Sequence, residues 1–204
     1  MVVAGDELMG VAERKVRDRA EREQKIVAVA AAIAEQEGWE AVTVRRLAEA
    51  IEYSQPVLYS HFANREAIVA AVAITGFRDI AGVLRTASGR GGSDGALERV
   101  ASAYLDFASG RPALYQAMFV LPTKLRFAED DTVSELRDAF DALAAVVRPF
   151  SPDVELATEV FWGALHGLAE LERAGRIPAA ARRRRVDLLC GALTGLSGTS
   201  KISR

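Results

Sequence analysis

Gln55, Tyr59, Ser60 and His61 fall within seven residues of one another, and each side chain can hydrogen-bond a phosphate oxygen or a base edge. A Gln amide both donates and accepts, so it can pair bidentately with adenine in a major groove. Arg45, Arg46 and Arg65 supply cations around the group. A short helix that turned these groups outward would make them a nucleic-acid contact surface. Catalytic chemistry finds less support. His61 and His166 are the only histidines, and the single cysteine, Cys190, lies in an apolar segment. No nucleophilic triad, metal cluster or disulfide framework follows from that inventory, so no cofactor and no metal is expected. A carboxylate pair on facing helices stays open.

The elements that would position these residues are helical. Ile26, Val29, Ala30, Ile33 and Ala34 recur at i, i+3, i+4, i+7 and i+8, one apolar face at the 3.6-residue period, and Gly38 ends that helix. Thr43 is placed to cap a short helix with Val44, Leu47 and Ala48 inward, and Ser54 to cap a second with Pro56 in its first turn. Asn64 opens a longer one over Arg65–Leu84. Beyond the Gly-rich stretch Ser88–Gly95, helical patterns cover Leu97–Ser109, Ala113–Leu121, Thr132–Val147, Val154–Ala174 and Ala179–Leu196, with five prolines near the gaps. No run alternates as a strand would. The fold class is all-α, with an N-terminal three-helix unit and a larger helical C-terminal domain. The boundaries read as an arm at 1–22 expected to be flexible, the three-helix unit at 23–66, a connecting helix at 67–87, the large domain at 96–196 and a tail at 197–204.

Composition narrows the class further. Half of the 204 residues are apolar and 26% are charged, enough for a packed core and too apolar for disorder. The net charge is −2, and residues 1–66 hold 9 Lys/Arg against 12 Asp/Glu, so a DNA partner has to be argued from local arrangement. No charge-free apolar run is long enough for a membrane span and no signal peptide is visible, which gives an expectation of a cytoplasmic protein without a membrane partner.

The segments Thr43–Ala50 and Gln55–Ser60, joined by a tight turn, have the shape of a helix-turn-helix. Ala48 is small enough for close helix approach, and Leu47 and Leu58 are apolar enough for the three-helix core. The run Thr43-Val-Arg-Arg-Leu-Ala through Gln55-Pro-Val-Leu-Tyr-Ser-His-Phe-Ala-Asn-Arg resembles the N-terminal domain of the TetR family over about residues 23–72. The sequence departs from the family where a glycine is usual and Glu52 stands; that position calls for positive φ, so Glu52 is expected to carry strain of ~1–3 kcal/mol. Near the other end, Trp162-x-x-x-His166-Gly167 resembles the signature of one type of TetR regulatory domain.

The resemblance implies a homodimeric, ligand-responsive regulator, most simply a repressor released from an inverted-repeat operator in double-stranded DNA by a small-molecule effector. Its DNA contacts would come from Thr43, Arg45, Gln55, Pro56, Tyr59, Ser60, His61 and Arg65. Packing is the alternative role for Tyr59, and a helix-end position the alternative for His61. The basic cluster Arg14, Lys15, Arg17, Arg19 and Arg22 reads equally as a solvated tail or as an arm reaching a minor groove. An apolar or aromatic effector would lie against Phe107, Tyr115, Phe119, Trp162 and His166, from a wider aromatic set that includes Tyr104, Met118, Phe127 and Phe140. A structural hydrogen bond is the preferred role for His166, a ligand anchor the second. Gly163, Gly167, Val186, Leu189 and Leu193 would form the dimer interface. The competing reading is a helical carrier or enzyme with an incidental helix-turn-helix.

Overall fold

The computed structural model describes residues 3–123 and 133–199, with side chains over 13–123 and 133–195. Among the described residues there are nine α-helices and no strand: α1 (Val3–Glu37), α2 (Val44–Ile51), α3 (Gln55–His61), α4 (Arg65–Gly89), α5 (Ala96–Gly110), α6 (Pro112–Phe119), α7 (Ser134–Val147), α8 (Val154–Arg173) and α9 (Arg182–Thr199). Phe127, Thr132 and the tail from residue 200 onward lie outside the described residues.

Local chemistry sets most of the boundaries. The Thr43 hydroxyl accepts from the Arg46 N–H at 3.1 Å and the Asn64 side chain accepts from the Ala67 N–H at 2.9 Å, each satisfying a first-turn donor that has no intrahelical partner. Ser54 is extended as a cap residue should be, but its side chain makes no cap bond; Pro56 alone pre-sets the first turn of α3. Between α2 and α3 the chain turns at Glu52, with φ 60° and ψ 36°, the sole non-glycine residue with positive φ among those described. The expected departure from the usual glycine is therefore met with the left-handed conformation retained.

The structure adds to two expectations. Residues 3–22, expected as a flexible arm, continue α1 as unbroken helix. And α4, 25 residues long, is by length and composition apolar enough to cross a membrane, although no charge-free run suggested it. Half of its most apolar window is buried here, because α4 is the central helix, packed on α1, α5, α6 and α7. Its few charges sit where it meets solvent. One continuous core runs from Ile26 on α1 through Leu47 and Leu58 to Phe77, Tyr104, Phe161 and Val186, so the two halves share an interior. Approach of α4 to α6 is closest at Gly76, where a Cβ would press on Met118 and Leu114.

Candidate functional site

Leu47, Ala48 and Leu58 lock α2 and α3 against α1, which leaves the opposite side of α3 in solvent. The eight residues expected to face DNA separate into two sets there. The Gln55 and Tyr59 side chains are exposed, Tyr59 by 54%, and neither makes a hydrogen bond to another described residue. Pro56 is exposed beside them, and the Thr43 hydroxyl, an acceptor for its cap bond, still has a proton to donate. Arg45 pairs with Glu49 at 2.9 Å yet remains 80% exposed, free to turn to another anion.

The other three are engaged within the chain. The Ser60 hydroxyl donates to the Val57 carbonyl at 2.7 Å. The His61 side chain is only 6% exposed, with Nδ1 3.3 Å from a Glu23 carboxylate oxygen, so it is not on the open side of α3. Arg65 donates to the carbonyls of Val42 and Trp39 at 3.0 and 2.7 Å, tying the start of α4 to the turn before α2. His61 and Arg65 hold the unit together, a role that the motif spacing does not display.

A second concentration of chemistry lies in the C-terminal domain. Tyr104 on α5, Tyr115 on α6 and Trp162 and His166 on α8 form one chain of hydrogen bonds. The Trp162 indole N–H donates to the Tyr104 hydroxyl at 3.0 Å, the two tyrosine hydroxyls are 2.8 Å apart, and the Tyr115 hydroxyl is 2.8 Å from His166 Nδ1. Donor counting fixes its direction. Tyr104 already accepts from Trp162, so its own proton finds an acceptor only on Tyr115, and that of Tyr115 only on His166. His166 is then a neutral ring with Nδ1 unprotonated, and burial holds its pKa below the ordinary value while Glu170 pulls weakly upward. Burial pushes both tyrosine hydroxyls well above their ordinary range.

Phe119 packs on this chain at 4.8 Å from the Tyr115 ring and 5.2 Å from the His166 ring. Beside it lies an apolar cavity of about 30 Å³, bounded by Phe77 and Ile80 of α4, Tyr104, Phe119, Phe140 of α7 and Trp162. Four of the five residues expected at the effector site, Tyr115, Phe119, Trp162 and His166, thus converge. Phe107 does not: it is buried in another part of the core, with the Arg111 guanidinium 6.0 Å from its ring centre. Tyr104 is the member that the site prediction lacked.

One turn of α6 joins the two regions. The Glu35 carboxylate at the end of α1 accepts from the N–H groups of Ala113 and Leu114 at 3.1 and 3.0 Å. The buried Trp39 indole donates to the Ala113 carbonyl at 2.8 Å. Tyr115, the next residue, is an inner link of the hydroxyl chain.

Two family descriptions match this sequence: "Bacterial regulatory proteins, tetR family" over residues 26–72 and "Tetracyclin repressor-like, C-terminal domain" over residues 97–193. An uncharacterised HTH-type transcriptional regulator of Mycobacterium tuberculosis, Rv0681, is 32% identical over 156 residues, spanning 74% of this chain and 70% of its own. The chain belongs to the TetR family. Among solved structures, a protein of unknown function from Rhodococcus sp. RHA1 shares the fold at TM-score 0.68 and 22% identity, over 87% of this chain and 94% of that one. BioQ, solved with its double-stranded DNA operator, shares it at TM-score 0.60 and 21% identity, over 84% and 97% of the two chains. The protein is thus a DNA-binding transcriptional regulator, and as a TetR-family member it carries its reading unit in α2 and α3.

The α8 and α9 surface completes the placement of the expected sites. Val186 and Leu193 are 1% and 8% exposed, turned into the chain's own core, and Leu189 is half-buried. The open apolar groups are others: Leu156, Val160 and Leu171 on α8 and Leu188 on α9. Leu156, Val160, Gly163, Gly167 and Leu171 recur at i, i+4, i+7, i+11 and i+15, one stripe of the helix, and a Cβ at either glycine would meet nothing within 4 Å.

Proposed function

We propose that this TetR-family regulator acts in the cytoplasm as a two-fold dimer on an inverted-repeat operator. It serves there as a repressor, the role typical of the family, that a small apolar or aromatic effector releases. The reading rests on α6: Ala113 and Leu114 are bonded to the DNA-reading half, and Tyr115, next in the chain, to the aromatic centre. A cavity of about 30 Å³ holds a water-sized group, whereas ligand pockets run to several hundred Å³. An effector therefore has to part the aromatic walls, displacing Phe119 and the Tyr115 turn and, with them, the Glu35 and Trp39 bonds that orient α1. Its affinity for the opened form sets how far the DNA-competent population falls.

Dimerisation is assigned to the α8 stripe with Leu188 of α9, in place of Val186 and Leu193. Exposed leucines flanking two open glycines suit close approach of a second copy, and a two-fold dimer presents two equal α3 helices, hence two half-sites. The protein is read as a binding protein rather than an enzyme. Burial pushes the Cys190 thiol up to about 12, far from a reactive thiolate at neutral pH, and both histidines are engaged in the fold.

Gly167→Trp fills the open stripe without touching the core, so sedimentation should report monomer and loss of operator binding with the helical content kept. A stable dimer in that variant would place the interface elsewhere. For the effector, aromatic compounds that raise the melting temperature should also release DNA in a gel shift; stabilisers that leave the complex intact would separate the aromatic centre from the DNA response.

A further inference from the structure

Residues 13–22 of α1 are all exposed, and the first α1 side chain to enter the core is Ile26. The helix nevertheless runs unbroken from Val3 to Glu37. From Val3 to Ile26 that is a length of about 34 Å at 1.5 Å per residue, and its side chains from 13 to 22 contribute nothing to the core. What fixes its direction is Arg19. Its guanidinium donates to the Ser60 carbonyl at the end of α3, at 3.0 Å, and pairs with Glu23 at 2.9 Å, which in turn meets His61. The extension is thus pinned to α3 beside Tyr59 and projects past its C-terminal end.

We propose that this extension is a rigid helical arm whose Lys15, Arg19 and Arg22 stripe binds duplex phosphates flanking the groove read by α3. The helix sorts the charges of this segment by face. Lys15, Arg19 and Arg22 stand at i, i+4 and i+7, in line with Ile26, on the face turned towards α3. Glu13 and Glu21 fall on other faces; Asp18 flanks the stripe one turn from Lys15 and from Arg22, and Glu23, on its other flank, is held by Arg19 and His61. Lys15 and Arg22 make no bond to any other described residue, so both cations are available. A helix about 10–12 Å across does not fit a minor groove about 6 Å wide. Contact is therefore with the sugar–phosphate backbone, and it carries affinity without sequence preference.

The inference rests on the DNA-binding function and is tested by fluorescence anisotropy on a mixed-sequence duplex of about three helical turns, across a salt series. Two phosphate contacts in each protomer, four in the dimer, contribute about 3.6 to the slope of log affinity against log salt, so Lys15→Ala/Arg22→Ala should lower the slope by that amount, with the melting temperature unchanged. Asp18→Pro breaks the helix while keeping both cations; it should lower the slope by about 1.8 as Lys15 loses its placement in each protomer, and Asp18→Asn should not lower it. An unchanged slope in the double variant overturns the proposal, as does a full slope in Asp18→Pro, which would mean a flexible tail serves equally. Wild-type protein that bound no duplex at all would instead remove the DNA-binding function, and the arm with it.

Discussion

Tyr59 and Tyr115 are both tyrosines on short helices, and the chain treats them in opposite ways. Tyr59 is 54% exposed, with a hydroxyl that bonds no described residue. Tyr115 is 1% exposed, with a hydroxyl that accepts from one neighbour and donates to another. A group kept for an outside partner has to retain an unfilled donor or acceptor, which only water can tolerate; a group buried in the fold has to fill both. Gln55 and Tyr59 differ in this respect from Tyr104 and Tyr115. Changes at the first pair should alter binding and leave stability alone, and changes at the second pair should do the reverse.

The sharpest way to break that contrast is Tyr115→Phe. It leaves the buried Tyr104 hydroxyl with no acceptor, at a cost of about 1–3 kcal/mol, seen as a clear drop in melting temperature. A variant as stable as the wild type would show that the centre tolerates unfilled groups after all. Glu52→Gly probes the turn under the reading surface: it should raise stability by about 1 kcal/mol, because glycine adopts positive φ without the Cβ clash. Tyr59→Phe should weaken operator affinity by about 1 kcal/mol in a gel-shift titration, with an unchanged melting temperature. Equal affinity would remove Tyr59 from the contact surface.

The smallest effect is on pH. Because burial holds His166 below its ordinary value of 6.5, the unfolded chain binds more protons in that interval, so stability falls as pH drops through about 6.5. His166 is only partly buried, so the change is small. His166→Asn, whose side-chain oxygen stands where Nδ1 accepts, should lack this dependence between about pH 7.5 and 5.5. Glu135, held low by its bond from Arg78, does not interfere. Nor does Glu172, where bonds from Arg182 and Arg185 outweigh the burial that would raise it: both lose their contribution only below 4.5.

Much of the reading unit was legible because it is local. Thr43 and Asn64 cap helices within three residues of themselves, and the Glu52 turn follows from a position that needs positive φ. The extension of α1 was illegible for the opposite reason. Hydrophobic periodicity reports burial, and a stretch exposed from 13 to 22 leaves no apolar face to count there; its Glu, Arg, Lys and Ala content, all good helix formers, was the available signal. The inward turn of His61 and Arg65 depends on Glu23 and on the Trp39 and Val42 carbonyls, more than twenty positions away in the chain. On α9, periodicity marks Val186 and Leu193 as one apolar face and Leu188 as part of another, but only the packed fold says which of the two the chain covers itself.

The two-turn length of α6 has a mechanical consequence. At eight residues, Pro112–Phe119 is too short to persist as a helix alone. It keeps its shape only while held at both ends, like a short key in a lock. Consecutive residues on a helix point about 100° apart, so a modest roll of α6 about its axis trades the grip of Ala113 on Glu35 and Trp39 for a new position of Tyr115. On the proposed reading, any guest that rolls the key is therefore equivalent at the far end, whatever its chemistry. Selection can then reshape the lining around Phe140 and Trp162 for a new guest while the α2–α3 surface keeps its own.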